Sequence, residues 1–323
     1  MPQITVHQLE KVFRVAERQP GFWGAVRSLA HRRYREVKAL HGVDFDIEQG
    51  ELVGYIGPNG AGKSTTVKIL SGILTPSGGE CRVNGLSPWR DRARHVARIG
   101  VVFGQRSQLW WDLPVIESFD LLRDIYATPP KQHARVLEEL AELLHLEPLF
   151  DVPVRQLSLG QRARCDLAAS LLHQPDILFL DEPTIGLDAP SRLAVREFIR
   201  RQNRESGITV LLTSHDMGDI EALCERVMVI NDGTLLLDGP MDSLRSPRYR
   251  ERRVVVEFEE GEALSAEHQA LAAGDGSRVE FRVAENAPSF VAELSARYRI
   301  RDLIVEHPPI EEIVRDLYHS ARA

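Results

Sequence analysis

The sequence predicts an α/β protein: a parallel sheet covered on both faces by helices, joined to an antiparallel β subdomain, a helical lobe and a small C-terminal α+β domain. Three observations predict it. Five apolar runs, LVGYI (52–56), IGVVF (99–103), ILFL (177–180), VLLTS (210–214) and VMVI (227–230), lack period-2 alternation. Strands of that kind, separated by helical segments, are buried on both faces of a parallel sheet. The stretch from about 105 to 172 is mostly helix-forming and interrupts the succession of strands. Beyond about residue 245 the chain changes to short alternating strands and amphipathic helices, so the expected domains are 1–245 and 246–323.

Taken in order, ITVHQLEKVF (4–13) begins as a strand, and VDFDIE sets Val43, Phe45 and Ile47 against Asp44, Asp46 and Glu48. That alternation predicts a half-exposed antiparallel sheet. Between the two strands an insertion at about 15–38 spaces Phe22, Val26 and Leu29 as on one helix face, so an amphipathic basic helix is expected over 21–36. The Asp-Gly pair in NDGTLLLDG predicts a hairpin closing the large domain. In the tail, VVVEFE (254–259) and RVEFRV (278–283) read as strands and DLIVE lies at 302–306. Phe290, Leu294 and Tyr298, then Ile310, Ile313, Val314 and Leu317, follow helical spacing.

Composition narrows the function classes. The 323 residues carry a net charge of −7 and three widely spaced cysteines, Cys81, Cys165 and Cys224. This argues against a nucleic-acid-coating protein and against a disulfide-stapled secreted fold, and a reducing cytosol is expected. No run of eighteen apolar residues and no secretory leader is expected to cross a membrane. Charge is uneven, however, because the insertion holds six basic residues (Arg18, Arg27, Arg32, Arg33, Arg35, Lys38) against two acidic ones. The histidines form no HxxxH pair or Cys/His cluster, so no such metal site is expected.

The chemistry concentrates in three strings. In GPNGAGKST, residues Gly57, Pro58, Asn59, Gly60, Ala61, Gly62, Lys63, Ser64 and Thr65 follow an apolar strand and precede a helix. Glycines let backbone N–H groups curl around phosphates, the helix N-terminus adds positive potential, Lys63 reaches the terminal phosphates and Ser64 offers an oxygen to magnesium. ILFLDEPT ends a buried strand on Asp181, suited to a metal-bound water, and Glu182, suited to polarising an attacking water. LSLGQ puts Ser158, Gly160 and Gln161 before a helical segment, where a hydroxyl and backbone amides make an outward-facing anion site.

These strings, with Gln105, LDAP and Ser214-His215, resemble the ordered motifs of ABC-type ATPases over about residues 4–240. The resemblance implies a phosphate-loop fold and a head-to-tail homodimer with two ATP molecules and Mg2+ between the phosphate loop of one copy and the LSLGQ segment of the other. It assigns Lys63, Ser64 and Thr65 to phosphate and magnesium, with Asp181 and Gln105 completing the metal surroundings. Ser158, Gly160 and Gln161 meet the opposite γ-phosphate, Glu182 is the base, Asp188 makes the dimer contact and His215 is the γ-phosphate switch. Leu159 stands where the family usually has glycine. An aromatic ring stacks on adenine in the family, and Phe13 is preferred over Tyr34.

One nucleotide-binding unit without spans implies separately encoded membrane permease subunits and a position at the cytoplasmic face of the membrane. After Gln105, the residues Leu109, Trp110, Trp111 and Leu113 read as an anchor for such a subunit or as lobe packing. The basic insertion reads as subunit contact assisted by lipid charge. VVFGQRSQLWWDLPVIESF, the insertion and the tail DLIVEHPPIEEIVRDLY resemble ATPase subunits of the bacterial viologen and multidrug exporter group. Export of drugs or amphipathic cations is therefore expected. Import, polysaccharide export or a non-transport role in nucleic-acid repair or translation are the alternatives.

Overall fold

The computed structural model describes residues 2–16, 34–104, 106–244, 252–259, 264–265, 268–269, 272–273, 278–283, 286–306 and 310–320. They form two compact units, Met1–Gly239 and Pro240–Ala323.

The first unit opens with β1 (Ile4–Ala16) and β2 (Tyr34–Ile47), followed by β3 (Leu52–Ile56), α1 (Lys63–Leu70), β4 (Gly78–Val83), α2 (Arg92–Val96) and β5 (Ile99–Phe103). The helical lobe contributes α3 (Val115–Ile125), α4 (Pro130–Leu144) and α5 (Leu159–Leu171). The chain then returns through β6 (Ile177–Asp181), α6 (Ala189–Ser206), β7 (Thr209–Ser214), α7 (Met217–Leu223), β8 (Arg226–Asn231) and β9 (Thr234–Pro240).

The main sheet runs β5-β6-β7-β3-β8-β9, with parallel pairing from β5 through β8. Every residue of β6 and β7 is buried, as continuous apolar runs require. Because the strands are parallel, β3, β6 and β7 all end on the same edge, bringing Gly57, Asp181 and Ser214 together. The turn between β8 and β9 is the two residues Asp232 and Gly233, both at positive φ, the hairpin geometry that Asp-Gly favours. It is pinned by Gly233 N–H donating to Ala61 O at 2.9 Å and His41 N–H donating to Gly233 O at 2.9 Å.

A second sheet, β2-β1-β4, is antiparallel, and Val43, Phe45 and Ile47 turn inward from β2 while Asp44 and Asp46 face out. Here the expected insertion helix needs correction. Tyr34, Arg35 and Glu36 belong to β2 and pair with Ala16, Val15 and Arg14, so the two strands continue as a long antiparallel arm. The pairing leaves no helical turn at 34–36; the rest of the expected helix lies outside the described residues.

The second unit holds α8 (Met241–Leu244), β10 (Arg252–Phe258), β11 (Ala272–Ala273), β12 (Arg278–Val283), α9 (Ala287–Arg297), β13 (Ile300–Glu306) and α10 (Ile310–Ser320). Its sheet runs β11-β12-β10-β13 and is antiparallel throughout. Val254, Val256, Phe281 and Leu294 form its core, while Tyr298, expected within the helix, is extended and caps it.

Candidate active site

The phosphate loop leaves the buried strand β3 at Gly57, where a Cβ would lie 2.3 Å from the Ile230 carbonyl oxygen. At Gly62, whose φ is +111°, a Cβ would lie 2.8 Å from Ala39 O. These two close approaches are why the loop needs glycine at both ends. Lys63 then starts α1 and is nearly buried; its ammonium reaches back to donate to Gly57 O at 2.6 Å and Pro58 O at 3.3 Å. Burial pulls its pKa down, and the facing carboxylates of Glu182 and Asp181 oppose that shift.

Ser64 donates to Asp181 Oδ1 at 3.1 Å, and Thr213, at the end of β7, donates to the same oxygen at 2.7 Å. Glu182 follows at φ 57°, its N–H donating to Thr213 O at 3.1 Å and Thr213 Oγ1 at 3.2 Å. Its carboxylate meets His215 Nδ1 at 2.5 Å. A left-handed conformation at a non-glycine residue is costly, and the Thr213 bonds hold it. Asp181, Glu182 and His215 line one cavity of about 760 Å3, together with residues 57–65, Lys68, Ile73, Phe103, Gly104, Arg106 and Ile185. That volume suits a nucleoside triphosphate.

The remaining expected residues stand elsewhere. Ser158, Gly160, Gln161, Asp188 and Phe13 do not line this cavity. Ser158 caps α5, accepting from Gln161 N–H at 3.2 Å, while its own N–H donates to Gln161 Oε1 at 2.8 Å. Gln161 is thus half of a capping box as well as a member of the exposed motif. Leu159, 38% exposed, folds over Gly186, where a Cβ would meet its Cδ2 at 2.8 Å, so the side chain lies against its own subunit. Asp188 caps α6 by accepting from Ser191 N–H at 3.0 Å. Phe13 pairs across the arm with Val37 under the Lys11 ammonium, 5.1 Å from its ring centroid. Tyr34 is 53% exposed, and Gln105 lies outside the described residues.

The expected anchor divides. Trp110 and Trp111 are 39% and 53% exposed, whereas Leu109 is 6% exposed and belongs to the lobe's packing.

Sequence reasoning missed Thr213 and Asp219. Asp219 is fully buried: it accepts from the Thr184 hydroxyl, from Ser214 Oγ at 3.3 Å and from Arg196 at 2.5 Å. It thereby ties the chain after Glu182, the residue before His215, and α6. Thr213 had a signal, a hydroxyl at the end of an otherwise apolar strand; Asp219 had none.

Fold and site together define a phosphate-loop ATPase. The family model described as ABC transporter matches residues 40–185. The chain is 36% identical to daunorubicin resistance ATP-binding protein DrrA3 of Streptomyces coeruleorubidus, over 73% of this chain and 74% of that one. It is 35% identical to methionine import ATP-binding protein MetN 2 of Enterococcus faecalis, over 66% of this chain and 63% of the other. A dimeric ATP-binding cassette in a post-hydrolysis state, bound to ADP and Pi, superposes with a TM-score of 0.61 at 25% identity, covering 74% of this chain and 98% of that one. The chain belongs to the ABC transporter family as an ATP-binding, ATP-hydrolysing subunit.

Proposed function

We propose that this chain energises an exporter of drugs or other amphipathic, cationic compounds, working as a head-to-tail pair beneath separately encoded membrane subunits at the cytoplasmic face. One observation carries the paired arrangement: the phosphate-loop cavity excludes Ser158, Gly160 and Gln161, although the motif that holds them faces outward. A second copy supplies what the first copy's cavity lacks.

In this reading, loop amides 57–62 and Lys63 bind the phosphates, and Phe13 stacks on the adenine. Ser64 Oγ and Asp181 Oδ1, 3.1 Å apart, are hard oxygen donors that fit Mg2+, and the resemblance adds Gln105 to that set. When bound, the ion neutralises phosphate charge. Glu182 takes the proton of the attacking water, and His215, held by the Glu182 carboxylate, faces the γ-phosphate. Asp188, at the exposed start of α6, meets the second copy.

Among the described residues no helix is long and apolar enough to cross a membrane, which fits a division of labour with separate membrane subunits. The exposed Trp110 and Trp111 are the surface for that partner. The likeness to a daunorubicin resistance protein supports export, and the likeness to a methionine import protein supports the importer reading. Co-purification with the membrane proteins encoded beside the chain, followed by cargo-stimulated ATPase with Glu182→Gln as control, tests it. Stimulation by amphipathic cations supports export; stimulation that requires a periplasmic binding protein overturns it.

A further inference from the structure

Asp166 lies in α5 two turns beyond the Ser158 cap, and is 6% exposed. Its partners are not in its own helix. Ser107 Oγ donates to Asp166 Oδ1 at 2.8 Å, and Gln108 N–H donates to the same oxygen at 3.0 Å. Gln108 Nε2 returns a bond to the Asp166 carbonyl at 2.9 Å, and Leu109 N–H donates to Ser107 Oγ at 3.1 Å. One helical turn nearer the cap, the Arg162 guanidinium lies 5.7 Å from the Trp111 ring centroid. Helix α5 therefore grips the segment 107–111 at two points on one face, as residues four apart require.

We infer that Asp166 is a positioning residue: with Arg162 it splints the exposed Trp110–Trp111 pair to the helix that carries Ser158, Gly160 and Gln161, so that both move as one body. A partner pressing on the tryptophans then shifts the motif directly. The functional half of this statement rests on the proposed reading of that motif as the second copy's nucleotide contact. Both bonds to the side chain use one oxygen, Oδ1. An amide in place of the carboxylate preserves that acceptor, so the splint depends on geometry and not on charge.

The test is hydrogen exchange of the full chain in a Glu182→Gln background, with and without magnesium and ATP, comparing Asp166→Asn, Asp166→Ala and Ser107→Ala. Without nucleotide, Asp166→Ala and Ser107→Ala are expected to speed exchange at the Gln108 and Leu109 amides about tenfold, and Asp166→Asn by less than about twofold. With ATP, the Glu182→Gln chain and its Asp166→Asn derivative are expected to slow at 158–166 and at 107–113 together. The Asp166→Ala derivative is expected to slow at 158–166 alone. Slowing at 107–113 that persists in Asp166→Ala, or Asp166→Asn behaving as Asp166→Ala does, overturns the splint. If ATP slows neither segment in the Glu182→Gln chain, the nucleotide reading of the motif fails, and the comparison without nucleotide still decides the splint.

Discussion

In the proposed reading a single side chain, Glu182, separates binding from turnover. Its carboxylate sits beside His215 in the cavity wall, while the loop and Lys63 are the groups proposed to hold the phosphates. Glu182→Gln keeps the size and the acceptor but cannot take a proton, so ATP hydrolysis is expected to fall by about 10²- to 10⁴-fold with affinity within a few-fold. Phosphate release and nucleotide titration on the same variant check both halves. Phe13→Ala is expected to weaken ATP binding more than Tyr34→Ala, because Phe13 is the partly buried ring on the arm and Tyr34 stands exposed at its end. Equal affinities in titration count against the assignment. Asp166 supplies a pH dependence. Burial pushes its pKa up from 3.8 to about 6, against the Ser107 and Gln108 hydrogen bonds and the nearby Arg162 charge. The folded state then holds its proton more tightly than the unfolded chain, so this group's contribution to stability falls as pH rises from about 4 to about 6 and stays low above. Two units correspond to roughly 2–3 kcal/mol at most. Asp166→Asn should therefore raise the urea midpoint at pH 7.5, and its gain over the native chain should vanish near pH 4.

At the scale of elements, the strands, the phosphate loop and the capped helix α5 were legible because each is written in contiguous residues. Period and glycine spacing are local signals, and β3, β5, β6, β7 and β8 appeared within a residue or so of their runs. The arm was misread for the same reason: a helix expected from the spacing of Phe22, Val26 and Leu29 was carried on to Glu36, yet cross-strand pairing with Arg14–Ala16 decides the state of Tyr34–Glu36. Thr213 meeting Asp181, and Asp219 meeting Thr184 and Arg196, are pairs across 32, 35 and 23 residues, beyond the reach of any window. Asp219 shows the energetic weight of such a pair. Its carboxylate is buried against Arg196, so Asp219→Ala strands the guanidinium, left with a 3.9 Å approach to Asp216, beside Thr184 and Ser214 hydroxyls that have lost their acceptor, and stability is expected to drop by about 3–5 kcal/mol. Denaturant melting measures it; a loss under about 1 kcal/mol would mean that Arg196 finds solvent instead.

At the scale of the whole molecule, the proposed pairing of two half-sites makes a prediction that a self-sufficient monomer does not. Lys63→Ala removes the ammonium at the loop and leaves the Ser158 cap untouched. Ser158→Arg blocks the cap and leaves the cavity untouched, since Ser158 does not line it. Each variant alone is expected to hydrolyse ATP at background, because every site in its homodimer has one damaged half. Mixing them creates a heterodimer in which the intact loop of the Ser158→Arg chain faces the intact cap of the Lys63→Ala chain. Half of the dimers in an equimolar mixture are of this kind, each with one whole site of two, so activity is expected to recover to about a quarter of the native level if sites act independently. An affinity tag on one variant should retain the other when ATP is present and release it without nucleotide. Recovery without ATP-dependent capture would point to contamination by native chain. Turnover above background in Ser158→Arg alone would mean that the cap of one copy does not complete the cavity of the other.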